Sequence, residues 1–295
     1  MARTLILRPT AKLNLTLRVG PLRTDGYHEV RSLMQSIALH DTVTISDRRG
    51  PIGFQCRTPG VPSDHTNLAW KAAAALWQAL GRPGEPRDAH IKIEKTIPSQ
   101  AGLGGGSSNA AAALVGLNTL WGAKMSRRDL ARLAATLGSD VPFFLQGGTA
   151  VATGRGEDLY PVDDIQRMGV VVIKPSFGVD TAEAYRWLDE DRKAGLPESV
   201  EGRDVELGWP SGGVPLVNDL MAPVARRHPG IAEMVEACLA EGAYGAQMTG
   251  SGSAVFGLFS ETAATKAVKR LKRPDWLVLL TRTHGRREAA RHTGL

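Results

Sequence analysis

The sequence predicts an α+β fold, in which helices pack on mainly antiparallel sheets. Strand-like and helix-like patterns alternate along the chain without the regular β-α-β rhythm of a parallel sheet. The 295 residues suffice for two domains or one large one. A 42% hydrophobic content, with ample glycine and proline, fits an ordinary soluble globular protein.

Residues 4–7 and 13–19 have the character of short strands, and residues 41–46 form another through the strict alternation Thr42-Val43-Thr44-Ile45. Residues 67–80 carry Leu68, Ala72, Ala75, Leu76 and Ala79 on one helical side, and the Gly/Pro-rich segment 81–86 breaks that helix. His90 to Lys95 alternates as a half-buried strand does, and 110–120 is rich in helix formers. Ser126 can cap an amphipathic helix over 126–137, and a hairpin is expected around 149–153. Beyond a change of character at 159–166, a strand at 170–174 precedes a helix starting near Thr181. Residues 194–213, rich in Gly, Pro and charge, predict a mobile surface insertion. A helix at 231–241, a strand at 254–259, a helix at 263–272 and a strand at 276–281 complete the chain, with no internal repeat.

The richest segment is Pro98 to Leu114, PSQAGLGGGSSNAAAAL, set between the strand at 90–95 and the alanine-rich helix. Glycines that open a helix leave backbone N–H groups free to converge on an anion, and the helix dipole adds about half a positive charge there. The segment is not a Walker A motif, because no lysine follows its last glycine. It lacks the setting of a dinucleotide fingerprint as well, since no clear βαβ unit opens before it. The neutralising cation must therefore come from elsewhere. Ser107, Ser108 and Asn109 stand where a helix needs its cap.

The stretch from Pro98 through Gly102, Leu103, Gly104, Gly105, Gly106, Ser107 and Ser108 to Asn109 resembles the nucleotide loop of the GHMP kinases. Further resemblances are Ala11-Lys12-Leu13-Asn14-Leu15, Leu22 to Ile45 around Asp25-Gly26-Tyr27-His28-Glu29, Leu137 to Phe144, and a second glycine-rich loop at Gly245 to Ala254. They span nearly the whole chain. The resemblance implies two domains, residues 1–158 binding ATP and 159–295 forming the C-terminal domain, with the active site in the cleft between them. It implies ATP and Mg²⁺, and transfer of a phosphoryl group to an alcohol. The surroundings of Tyr27 and His28 are similar to the family branch whose substrate is a polyol linked to cytidine diphosphate.

On that resemblance Asp140 is the catalytic base, oriented by Lys12. Without it, Asp140 before Val141-Pro142 is equally a helix N-cap, and Lys12 a polar position on a strand. Asn14, two residues beyond Lys12 and on the same strand face, is a candidate donor to the diphosphate or the base. Tyr27 is implied to stack on cytosine and His28 to read its polar edge, whereas unaided they flank an Asp-Gly turn. Tyr185 is either a second aromatic wall or a helix-face core residue. Thr249, Gly250 and Ser251 either close the cleft near the phosphates or make a tight turn. No acidic residue is assigned to Mg²⁺.

The net charge of +6 is concentrated: residues 266–295 hold nine Lys or Arg against two acids. Without interleaved aromatics this tail fits a solvated basic surface better than a nucleic-acid site. No apolar run approaches membrane-spanning length and the start has no signal-like h-region, so a cytoplasmic protein is expected, with no nucleic-acid or membrane partner. A monomer or weak homodimer is the expected state. Cys56 and Cys238 are expected as free thiols, and no Cys/His pair has metal-site spacing.

Overall fold

The computed structural model describes residues 3–198, 204–208 and 212–294. The first half carries β1 (Thr4–Leu7), β2 (Thr10–Leu22), β3 (His28–His40), β4 (Thr42–Ser46), β5 (Gly53–Cys56), α1 (Leu68–Ala79), β6 (His90–Glu94), α2 (Gly105–Leu120), α3 (Arg127–Leu137), α4 (Val141–Gln146), β7 (Thr149–Thr153) and β8 (Asp158–Pro161). The second half continues with β9 (Gly169–Pro175), α5 (Thr181–Lys193), β10 (Asp204–Val205), β11 (Val214–Pro215), β12 (Val217–Asn218), α6 (Met221–Arg227), α7 (Gly230–Ala240), β13 (Gly245–Met248), β14 (Val255–Phe259), α8 (Glu261–Arg270), β15 (Trp276–Arg282) and α9 (Arg286–Thr293). The class is α+β.

Three larger sheets organise these elements, in the orders β1-β4-β6-β5, β12-β2-β3-β7-β8 and β13-β14-β9-β15. Pairing is antiparallel except where β5 meets β6 and β12 meets β2. One core packs α1 to α4 on the first sheet, and another packs α5 to α8 on the third. A third core joins the halves: Leu13 and Leu15 of β2 and Leu103 of the glycine-rich loop pack with Val170, Val172 and Phe256. The boundary expected after residue 158 falls within β8, and β12 of the second half extends the sheet of β2.

Local rules account for most element ends. Asn67 accepts from the Ala69 N–H and Ser126 from the Asp129 N–H, so both helices start at their side-chain caps. The glycine-rich helix departs from expectation. It begins at Gly105 rather than near Ala110, and its N-cap is Gly104, at φ +70° with no side-chain cap. Ser107, Ser108 and Asn109 therefore lie inside the first turns, because left-handed Gly104 ends the loop before them.

Residues 194–213 also differ from an exposed insertion. Residues 199–203 and 209–211 lie outside the described residues. Val205 and Leu207, however, are fully buried, and β10 pairs with β11. The apolar alternation of Val205-Glu206-Leu207 gives that short stretch a core-facing side. At the chain end, the basic tail folds into β15 and α9, and α9 packs on α4 and β3.

That packing buries His284, which is 2% exposed. Burial pushes its imidazole from the ordinary 6.5 down to about 4, and Arg282, His292 and His40 act the same way while Glu288 opposes them. Folded protein thus holds His284 neutral where the unfolded chain would already be protonated. Its contribution is intact above pH 6.5 and is lost as the pH falls from 6.5 toward about 4. His284→Gln is expected to flatten the decline of thermal midpoint across that window, measured by calorimetry against the parent protein.

Candidate active site

The site is a cleft of about 1270 Å³ lined by both halves of the chain. Lys12 on β2 forms its floor. This ammonium is 3% exposed and lies 3.4 Å from the Asp140 carboxylate, which is itself half-exposed to the cleft. Lys12 Nζ also donates to Asn14 Oδ1, while Asn14 Nδ2 donates 2.7 Å to the Ser32 hydroxyl. Burying an ammonium without such partners would cost several kcal/mol. Asp140 occupies the N-cap position of α4, but its side chain makes no capping bond. The carboxylate is left free to face Lys12.

Above this pair stand the two glycine-rich loops. Gly102 and Gly104 have positive φ, and a Cβ on Gly102 would overlap the Thr249 carbonyl oxygen of the second loop. The Lys12 N–H donates 3.0 Å to the Leu103 carbonyl, which ties β2 to the first loop. The start of α2 opens on the cleft, with nothing near Gly106 where a Cβ would stand. Lys95 stands beside the loop, since a Cβ on Gly105 would lie 2.9 Å from its Nζ. The buried Asp41 carboxylate holds Lys95 and also accepts from the Thr96 and Ile97 N–H groups.

The expected site residues divide into those that face the cleft and those that support it. Pro98, Gly102 to Ser107, Asn109, Lys12, Asp140, Gly250 and Ser251 line it. Asn109 is 3% exposed, and its Oδ1 is buried without a partner. An acceptor in that state, beside an open helix start, suits a cation or donor carried on phosphate groups. Among the described residues no group of three or more His, Cys, Asp or Glu could hold a metal ion. Ser108 corrects the expectation: it is fully buried and donates 2.6 Å to the Thr10 carbonyl, locking α2 to β2. Thr249 is likewise buried and accepts 3.0 Å from the Asn14 N–H. Asn14 lines the cleft as well, and its amide bonds both Lys12 and Ser32.

The far end of the cleft is aromatic. Asp25 accepts 3.1 Å from the Tyr27 N–H, and Gly26 at φ +83° completes the turn that presents Tyr27. Tyr27 is 55% exposed, and the Arg155 guanidinium lies 5.0 Å from its ring centre. His28 stacks on Tyr185 with centroids 5.2 Å apart, and its Nε2 lies 3.0 Å from Asp189 Oδ1. Burial, with the nearby Asp140 charge second, pushes the Tyr185 phenol up to about 12, so it stays protonated. Sequence reasoning did not single out Lys95, Ser32, Arg155 or Asp189. Asp189 alone had a local signal, lying one helical turn beyond Tyr185 on the same face.

Two family models match: the GHMP kinases N terminal domain over residues 67–148, and the GHMP kinases C terminal domain over residues 207–274. A relative from Pelotomaculum thermopropionicum named 4-diphosphocytidyl-2-C-methyl-D-erythritol kinase is 42% identical, covering 92% of this chain and 96% of its own. One of the same name from Anaeromyxobacter dehalogenans is 44% identical, covering 90% of this chain and 83% of its own. A crystal structure of 4-(cytidine 5'-diphospho)-2C-methyl-D-erythritol kinase superposes with a TM-score of 0.74 at 34% identity, over 97% of this chain and 100% of the other. With both halves matched and relatives of this identity running almost end to end, the chain belongs to the GHMP kinases, a family of small-molecule kinases, within their 4-diphosphocytidyl-2-C-methyl-D-erythritol kinase branch.

Proposed function

We propose that the protein transfers the γ-phosphoryl group of ATP to the 2-hydroxyl of 4-diphosphocytidyl-2-C-methyl-D-erythritol, yielding the 2-phosphate and ADP on the route to isoprenoid precursors. One observation carries the reading: a buried ammonium and a carboxylate, 3.4 Å apart, lie between an anion cradle and an aromatic pocket in one cleft. Phosphoryl transfer depends mainly on positioning and charge neutralisation, and the residues divide that work. Asp140 accepts the proton of the 2-hydroxyl as its oxygen bonds to the γ-phosphorus and the bond to the bridging β-γ oxygen breaks. Lys12 orients that carboxylate and offsets charge on the acceptor oxygen.

The N–H groups at the start of α2, helped by Lys95, bind the phosphates of ATP. Asn109 Oδ1 and the Ser107 hydroxyl would face Mg²⁺, which when bound there neutralises charge on the phosphate oxygens. Tyr27 stacks on the cytosine while Tyr185 and His28 close the pocket behind it.

ADP release is to be measured with MgATP and, in parallel, the cytidine compound, mevalonate and homoserine. Release with the cytidine compound alone is the expected result; release with another alcohol would overturn the substrate assignment. Asp140→Asn is expected to lower kcat by about 10²–10⁴-fold. Calorimetric titration should find its ATP affinity close to that of the parent. Tyr27→Ala removes a stacking platform worth about 1–3 kcal/mol per base. Its KM should rise for the cytidine substrate and stay level for ATP, and an equal rise in both would contradict a base-stacking role.

A further inference from the structure

We propose that Ser32 is a positioning residue for the transfer: its hydroxyl fixes the Asn14 amide so that Oδ1, and not Nδ2, meets the Lys12 ammonium. The inference rests on the preceding reading that Lys12 and Asp140 carry the reaction.

Hydrogen-bond direction settles which way the amide points. The Ser32 hydroxyl has one proton, and it donates 2.6 Å to the Thr16 carbonyl, which can only accept. Toward Asn14, 2.7 Å away, the same oxygen is therefore an acceptor, and the group it faces must be the Nδ2 amide. Asn14 Oδ1 is left for Lys12 Nζ, which is a donor only. A chain of donors thus runs from Lys12 through Asn14 and Ser32 to the backbone of β2. Packing alone would not choose this orientation, because the two ends of an amide are nearly equal in size.

The backbone is shaped for this relay. β2 uses Asn14, Leu15 and Thr16 where β3 uses only Met34 and Leu33, a bulge with one extra residue. Two hydroxyls bond the main chain there: the Leu33 N–H donates 2.8 Å to Thr16 Oγ1, and Ser32 takes the Thr16 carbonyl. The Asn14 N–H has a separate partner, donating 3.0 Å to Thr249 Oγ1. Main chain and side chain of Asn14 are thus held independently, and Ser32 governs the side chain. Without its hydroxyl, a turned amide would set N–H groups against a buried ammonium and leave Lys12 short of an acceptor. Lys12 is needed most as charge moves onto the acceptor oxygen, so its displacement lowers turnover more than binding.

The test compares turnover of MgATP and the cytidine compound in the parent, Ser32→Ala, Ser32→Thr, Asn14→Ala and the double variant of Ser32→Ala with Asn14→Ala. Ser32→Ala is expected to lower kcat about fivefold to a hundredfold, with both KM values within about twofold of the parent. Ser32→Thr, which keeps the hydroxyl, should recover most of that loss. In the Asn14→Ala background the Ser32→Ala change should cost little more, since its partner is already gone. The Asn14 side-chain amide protons, followed in asparagine-labelled protein, should exchange slowly with solvent in the parent and in Ser32→Thr, and faster in Ser32→Ala. Rapid exchange in the parent would overturn the proposal even if Ser32→Ala fails to fold. A raised KM for the cytidine compound at unchanged kcat would make Ser32 a substrate contact instead, and fully additive losses in the double variant would take Asn14 out of its route; either result ends the proposal. Unchanged kcat in Ser32→Ala beside an impaired Asp140→Asn would overturn the proposal alone. Full turnover in both Asn14→Ala and Asp140→Asn would overturn the reading of the site and the proposal together.

Discussion

The buried ammonium of Lys12 is the constraint around which the rest of the cleft is arranged. A charge this enclosed requires compensation, and breaking a buried pair typically costs about 3–5 kcal/mol. Asn14 and Asp140 supply the compensation from two different elements. Asn14 is fixed in turn by Ser32 on β3, and the Thr249 hydroxyl accepts its backbone N–H. β2, the second glycine-rich loop and the start of α4 therefore have to meet at one point. The glycines follow from that meeting. Gly104 lies against Phe144 and the Lys12 stem, and Gly250 lies close to the ammonium itself. Side chains at these positions would push the ammonium away from its partners.

In the proposed reaction, phosphate recognition draws on backbone N–H groups and on cations that already have partners. The open N–H groups of α2 and its dipole supply about half a positive charge without an exposed cation. Lys95 adds a full charge, but Asp41 already balances it below the loop. The pair can orient an anion without leaving an uncompensated ammonium when the cleft is empty. Lys12 has the same character, with Asp140 as its counter-ion. Lys12 and Lys95 are thus paired in advance, which limits the reorganisation needed when a charged substrate arrives.

The parts legible in the sequence were those whose physics is local. The glycine run before an alanine-rich helix marks the loop that opens α2, and Ser126 announces its helix through its cap. β3 escaped because its middle is buried on both faces, so Ser32 to Ile37 shows no strict alternation. α9 escaped because it buries chiefly Ala289 and Thr293, too small a face to make an apolar stripe. Ser108 shows why a motif does not assign each of its members a role. Three consecutive polar residues at the start of a helix cannot share one face, at 3.6 residues per turn. Ser107 and Asn109 line the cleft, while Ser108 turns to the Thr10 carbonyl. Lys95 and Ser32 act through partners distant in sequence, which no local pattern encodes.

The basic end of the chain is explained by the same distinction between local composition and tertiary placement. Read along the sequence, its arginines form a cationic tail. Folded, Arg286 donates to the carbonyls of Thr149 and Val162, Arg273 pairs with Glu233 and lies over Trp276, and Arg282 approaches Glu288. Arg286 in particular caps backbone acceptors beside β7 and β8, a task that suits a guanidinium with several donors in a fixed plane. Ala289 packs against Gly147 at the end of α4, the helix that begins with Asp140. The last helix of the chain thereby braces the element that holds the catalytic carboxylate in the proposed reaction. Of the arginines named, Arg286 alone bonds across to the first half, at Thr149, while Arg273 and Arg282 pair within the second half.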